Sequence, residues 1–271
     1  MLADITLGQY YPGTSFVHKL DPRTKILATM SFIIAVFLAV SATSYAVLVA
    51  FVLSVIFLAR LPVLLVVKSI KPLWIIIVLT MGIHLLTGQG EVIWSWKFIS
   101  VTKEGLSMGV MMSLRLVLLL MISSILTFTT SPIVLTDGIE YLLKPFKRVG
   151  VPAHELAMMM TIALRFIPTL LEETDRIMKA QMARGAEFKG GNIIARAKGM
   201  LPILIPLFIS AFRRADELAV AMESRCYHGG EGRTSMHELV YRHRDLLAAL
   251  AMVVLIVIIG VLKWSNGLCV I

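Results

Sequence analysis

Charge is what this sequence most lacks. Only 16% of its 271 residues are charged, against close to a quarter in an ordinary soluble domain. Hydrophobic residues make up 58%, so lipid must cover much of the surface. Cysteine is almost absent: Cys226 and Cys269 fall in regions expected on opposite sides of the bilayer, which leaves neither a disulfide framework nor a zinc cluster. No Gly-x-x-x-x-Gly-Lys-Ser/Thr loop occurs, so nothing here cradles a nucleotide in the P-loop manner. The first 25 residues are mostly polar and no small-residue cleavage site follows an early apolar run, so a cleaved signal peptide is not expected.

What is there is long apolar runs. No charge occurs between Lys25 and Arg60, and a single helix of that length would reach about 50 Å, well beyond a hydrocarbon core of about 30 Å. Two spans must fold back on each other at Ser41-Ala42-Thr43-Ser44, where short hydroxyl side chains compete for the backbone. The spans expected are 26–40, 45–59, 72–88, 106–128 and 246–262, giving a transmembrane region 1–130, a region 131–240, and a last helix within 241–271. Within them the charge-bearing groups are His84 and Arg115, a poor inventory for an intramembrane enzyme. A charge inside a span is costly enough to need a partner or a function, and Arg115 is read as structural pairing with a neighbouring helix ahead of substrate contact.

The net charge of +9 follows topology better than a nucleic-acid groove. His18, Lys19, Arg23 and Lys25, then Arg60, Lys68 and Lys71, then most of 131–245 fall in alternate connections, while the Ser41–Ser44 turn has none and Glu91 to Glu104 balances Lys97 and Lys103 against two acids. The positive-inside rule then puts the N-terminus in the cytoplasm and the C-terminus outside. Asp21 and Pro22 fit the N-cap and first position of the first span, with Lys25 snorkelling to the interface.

Residues 131–240 are too long for a loop, yet their apolar runs are too short to span. Amphipathic helices at the inner membrane edge are expected over 133–147, 153–187 and 193–227, divided by Gly150-Val151-Pro152, Gly190-Gly191 and Gly229-Gly230, with Pro168, Pro202 and Pro206 as bends. The second and third of these align at an offset of 41 residues. Each ends in an arginine between small neighbours, Ala183-Arg184-Gly185 and Ser224-Arg225-Cys226. Two readings fit. Each arginine either complements its own helix dipole, with Gly185 as the stop, or offers a donor fork to a carboxylate on a two-fold partner. His154-Glu155 and His237-Glu238 begin like a zinc-protease signature, but the fourth position is Met158 or Tyr241, so no metal site is expected.

Taken in order, His18-Lys19-Leu20-Asp21-Pro22-Arg23-Thr24-Lys25, Arg165-Phe166-Ile167-Pro168 and the two arginine motifs resemble the T-component of energy-coupling-factor (ECF) transporters over nearly the whole chain. The resemblance implies an all-α polytopic membrane protein with about five transmembrane helices and a cytoplasmic domain of three coupling helices, two of them crossed. It implies a non-enzymatic scaffold in a prokaryotic cell membrane that joins two ABC-type ATPases, identical or not, to a small substrate-binding S-component for vitamin or trace-metal uptake. ATP and Mg would be bound by the ATPases and no cofactor by this chain; lipid is a partner and nucleic acid is not. Ala183, Arg184, Gly185, Ser224, Arg225 and Cys226 become the ATPase-docking residues, Cys226 standing where Ala or Gly is commoner. Met158, Met159, Met160, Met200, Pro202 and Pro206 are candidates for an adaptable S-component interface, with lipid or core packing the competing reading. A self-contained secondary transporter would need broken helices in two related membrane halves, whereas the repeat here is outside the spans.

Overall fold

The computed structural model describes residues 10–87, 92–96, 99–186, 193–229 and 239–268. Glu91, Lys97, Gly190-Gly191, Gly230, His237-Glu238 and Cys269 lie outside the described residues. The chain divides into two compact units, one of residues 8–138 with 239–271 and one built on residues 139–238.

The first unit is a bundle of long apolar helices. Helix α1 (Pro22–Leu38) begins where the Asp21 carboxylate accepts the Arg23 N–H at 2.9 Å and Pro22 supplies a ring where no N–H partner exists. Helix α2 (Ala42–Ala59) follows almost at once, capped by the Ser41 hydroxyl on the Ser44 N–H and closed by Arg60 in the left-handed region at φ 52°. Helix α3 (Val63–Lys68), a 3-10 turn at Lys71–Leu73 and α4 (Trp74–Thr87) come next. Helical structure thus starts well before Pro72, and that proline sits in the 3-10 turn because it cannot donate to a continuing α-helix. The connection that follows α4 is not a plain loop. Strands β1 (Val92–Trp96) and β2 (Ile99–Thr102) pair antiparallel there, as β-branched and aromatic residues favour. Thr102 then caps α5 (Lys103–Thr129) by accepting the Gly105 N–H at 3.2 Å. Helix α6 (Pro132–Leu143) leads towards the second unit, and α9 (His243–Leu268) returns to the first.

Among the described residues five helical segments are long and apolar enough to cross a membrane: 42–59, 63–87, 103–129, 153–183 and 243–265. Helix α1, the expected first span, has 17 residues and reaches about 26 Å, at the short limit for a hydrocarbon core. Conversely 153–183, expected at the membrane edge, qualifies by length and composition through its apolar first half alone, ahead of a second half bearing Glu172, Glu173, Asp175, Arg176 and Lys179.

The bundle core is built from one stripe per helix. Leu48, Val52 and Ile56 of α2, Leu118, Ile122 and Ile125 of α5, and Met252, Leu255 and Ile259 of α9 are buried at three- and four-residue spacing around Phe32 and Val36 of α1. Phe32 stacks on Phe51 with ring centres 5.8 Å apart. Close helix approach depends on Gly138, where an added Cβ would lie 3.0 Å from the Pro22 Cβ. The opposite faces carry Leu27, Ile34, Phe37, Leu53, Phe57, Val253 and Val257 in the open, as lipid requires.

At one end of the bundle three helix termini are tied together by buried polar groups. Lys25 does not snorkel. Its side chain is buried and its Nζ donates to the carbonyls of Thr129 at 2.9 Å and His18 at 3.1 Å and to the Thr130 hydroxyl at 3.2 Å. A cation thus terminates α5, where the helix dipole and the unpaired carbonyls favour it. Asp245, also buried, accepts the Asp21 N–H and the Arg242 N–H, each at 2.8 Å, so one carboxylate joins the starts of α1 and α9. Arg23 adds an ion pair to Asp21 at 3.1 Å, a bond to the Leu239 carbonyl, and a stack over Tyr241. The starts of α1 and α9 and the end of α5 therefore share one face of the bundle. Replacing Lys25 with Met should orphan the Thr129 carbonyl and cost about 2–3 kcal/mol. Unfolding of the detergent-solubilised chain measures this, and unchanged stability would remove the joint from the account.

Candidate functional site

The second unit contains the remaining part of α6, a 3-10 turn at Lys144–Val149, and two helices of 31 residues, α7 (Ala153–Ala183) and α8 (Ile193–Glu223). The first amphipathic helix, expected as continuous over 133–147, changes to 3-10 at Lys144-Pro145, since Pro145 removes a backbone donor. Helix α7 runs through Pro168 and α8 through Pro202 and Pro206 without losing helical structure. The Glu140 carboxylate lies 2.8 Å from His154 Nδ1.

Helices α7 and α8 lie against each other. Arg214 reaches Glu173 at 3.4 Å, and Gln181 Nε2 donates to the Pro202 carbonyl at 3.4 Å. Rising numbers on α7 meet falling numbers on α8, so they run antiparallel along this stretch. Glu173 and Arg214 are separated by 41 residues, the offset that relates the two arginine motifs. The contact therefore joins equivalent positions of the two aligned helices. Sequence reading did not single out this pair, although the offset contained it.

Both helices end in the same way. In α7 the N–H of Gly185 bonds to the Met182 carbonyl at 3.0 Å and that of Ala186 to the Gln181 carbonyl at 3.0 Å; in α8 Cys226 bonds to Glu223 at 2.9 Å and Tyr227 to Met222 at 3.0 Å. Each end is a Schellman motif, which satisfies the last carbonyls by turning one residue left-handed. That residue is Gly185 at φ 87° and Cys226 at φ 58°. Arg184 and Arg225 therefore occupy the same place, immediately before the reversal. All six residues of the two motifs are exposed, and neither arginine side chain has a hydrogen-bond or ion-pair partner among the described residues. Each arginine lies 11 residues beyond the Glu173–Arg214 contact, in opposite directions, so the tips stand roughly 30 Å apart at 1.5 Å per residue.

Of the other candidate residues, Met159, Met160, Met200 and Pro202 are exposed, while Met158 and Pro206 are half-buried. They continue into an open apolar surface on α8 formed by Leu201, Leu204, Ile205, Phe208, Ile209 and Phe212. Arg115 belongs to the first unit, and its partners are neutral. Its Nε donates to the Tyr45 hydroxyl at 3.1 Å and its Nη2 to the Ala39 carbonyl at 3.5 Å, with the guanidinium 5.6 Å from the Phe37 ring centre. Ala39 and Tyr45 flank the α1–α2 turn, so the charge reaches the level where those helices end.

The family described as cobalt transport protein, CbiQ, matches residues 13–236, which includes both arginine tips. Among curated proteins, the chain is 69% identical over 265 residues to the energy-coupling factor transporter transmembrane protein EcfT of Acidaminococcus fermentans, covering 98% of this chain and 99% of the relative. It is 54% identical to that of Clostridium kluyveri, covering 95% and 96%. The chain belongs to this family. It is also 48% identical to the EcfT of Bacillus subtilis over 97% of this chain and the full length of that protein. It is thus a multi-pass transmembrane component of an energy-coupling factor transporter, and the two repeated helix ends lie in the part that defines the family.

The caps differ in one testable respect. A non-glycine left-handed residue costs about 1 kcal/mol where glycine costs nothing. Cys226→Gly should protect the amides of the last turn of α8 from hydrogen exchange about fivefold, and Gly185→Ala should expose those of α7 by a similar factor. Nothing lies within 4 Å of a Cβ built on Gly185, so that second change reads backbone strain without a clash.

Proposed function

We propose that this chain couples ATP hydrolysis in two separate ABC-type ATPase subunits to movement of a small membrane-embedded substrate-binding partner, in an importer of a vitamin or trace metal. The observation that carries the reading is the pair of identically capped arginine tips, without side-chain partners among the described residues and set roughly 30 Å apart by an antiparallel helix pair. A two-fold motor needs two equivalent handles. Each guanidinium supplies a planar donor fork suited to a carboxylate in a groove of one ATPase, and a rigid helix transmits its displacement. ATP and Mg would bind to the ATPases, which hydrolyse; this chain supplies no phosphate loop.

In the same reading the membrane is a prokaryotic plasma membrane, with the N-terminus in the cytoplasm and the C-terminus outside. The alternation of Lys and Arg along the chain supports this orientation. So does the joint that puts the starts of α1 and α9 and the end of α5 on one basic face. The methionines Met158, Met159, Met160 and Met200, with Pro202 and Pro206, would offer the substrate-binding partner an adaptable surface. Replacing both Arg184 and Arg225 with Ala should abolish co-purification of the ATPases or leave hydrolysis uncoupled from uptake, at unchanged membrane expression. Each single replacement should give an intermediate loss. Normal uptake by the well-expressed double variant would refute the docking role.

A further inference from the structure

Between α1 and α9, at the end where both helices start, lies a groove of about 890 Å³. Its deep walls are apolar, with Leu27 and Ala28 from α1 and Ala249, Met252, Val253 and Ile256 from α9. Its mouth is basic. Arg242, His243 and Arg244 line it, all three exposed, and none of these side chains has a hydrogen-bond or ion-pair partner among the described residues. The one carboxylate among the lining residues, Asp245, is buried and has each oxygen already engaged by a backbone N–H, so the mouth keeps two arginines against one acid.

Depth matches charge. From Leu246 to Ile256 the α9 wall descends about 15 Å at 1.5 Å per residue, starting from the level where α1 and α9 begin and running into the apolar length of the bundle. An aqueous ligand would waste these walls, and a protein helix would leave the arginines unsatisfied unless it carried acid at that one level. A molecule with a phosphate at the membrane surface and a chain of methylenes below it satisfies both parts together. Basic clefts between transmembrane helices at the surface of the bilayer hold anionic headgroups in this way.

We infer that the α1–α9 groove is a binding site for one anionic phospholipid, its phosphate held by Arg242 and Arg244 and one acyl chain lying against Ala249 and Val253. His243 stands beside the phosphate and adds a further donor. The site lies in the bundle unit and owes nothing to the arginine tips, so it stands or falls separately from the coupling reading.

Native mass spectrometry of the full-length detergent-solubilised chain tests it, with phosphatidylglycerol and phosphatidylcholine of identical acyl chains as probes. Phosphatidylglycerol should be retained at least tenfold better. Arg242→Gln with Arg244→Gln should erase that preference by weakening phosphatidylglycerol far more than phosphatidylcholine, whose choline cation opposes the arginines; Ala249→Trp, which fills the apolar groove from an exposed position, should weaken both lipids alike. Glycerol phosphate at the same concentration should not displace the lipid. Equal retention of the two lipids, a headgroup preference that survives the double arginine variant, or full displacement by glycerol phosphate would each overturn the assignment.

Discussion

The bundle depends on a lysine that lipid would not tolerate alone. Lys25 brings a cation into a buried place, and an unpaired cation there would be costly enough to force the helix apart. Its three acceptors come from His18 and from the end of α5 at Thr129 and Thr130, so the lysine is stable only when α1 and α5 are correctly placed. Asp245 imposes the matching condition on α9, because its two oxygens accept N–H groups from the first turns of α1 and of its own helix. Apolar stripes can slide along one another at small cost, since lipid tails are as apolar as leucine. A charged joint cannot slide, and this one fixes the relative heights of α1, α5 and α9 while the stripes supply area.

The second unit is organised by repetition. Two helices of equal length end in the same hydrogen-bond pattern and touch at equivalent residues, Glu173 and Arg214. One end meets the requirement of the Schellman motif with glycine and the other with cysteine in the left-handed region. That the same geometry is kept at Cys226 without a glycine means that the rest of α8 holds the reversal against a cost of about 1 kcal/mol. Dipole capping and partner docking, which compete as readings of a single arginine, are compatible here. The backbone carbonyls are satisfied by the Schellman bonds, and the side chains are left free to act outward.

What the sequence disclosed and what it withheld follow from the range of the interactions. Long charge-free runs announce an all-helical membrane protein because they depend on neighbours in the chain, and the ordered motifs announce the family for the same reason. Asp21 and Pro22 announce a helix start, which is also local. The role of Lys25 was misread because its decisive acceptor is 104 residues away, and snorkelling is the default for a lysine judged only by its own helix. Asp245 served as a mere boundary mark for similar cause, its long-range partner being 224 residues distant. The hairpin after α4 was hidden by its shortness: few residues cannot display a period against two flanking helices. Gly185 was readable as a stop, but nothing about cysteine signals a left-handed turn, so the likeness of the two caps emerged only from the backbone.

The two units also differ in how they can be stable. In the bundle a continuous buried core draws on α1, α2, α3, α5 and α9. Along α7 and α8, among the described residues, Ala153, Ala157 and Ile203 are the ones fully withdrawn from the surface, and two of these are alanines with little area to contribute. Helices of about 46 Å held by so few buried groups gain little from each other, and most helical stability in proteins comes from packing an apolar face. The faces exist: Phe208 and Phe212 of α8, with ring centres 5.3 Å apart, stand open beside Leu204 and Ile205. An open apolar stripe of this extent on a helix that also carries charge calls for lipid or protein against it. The stability of these two helices therefore comes from what packs on them as much as from their own hydrogen bonds.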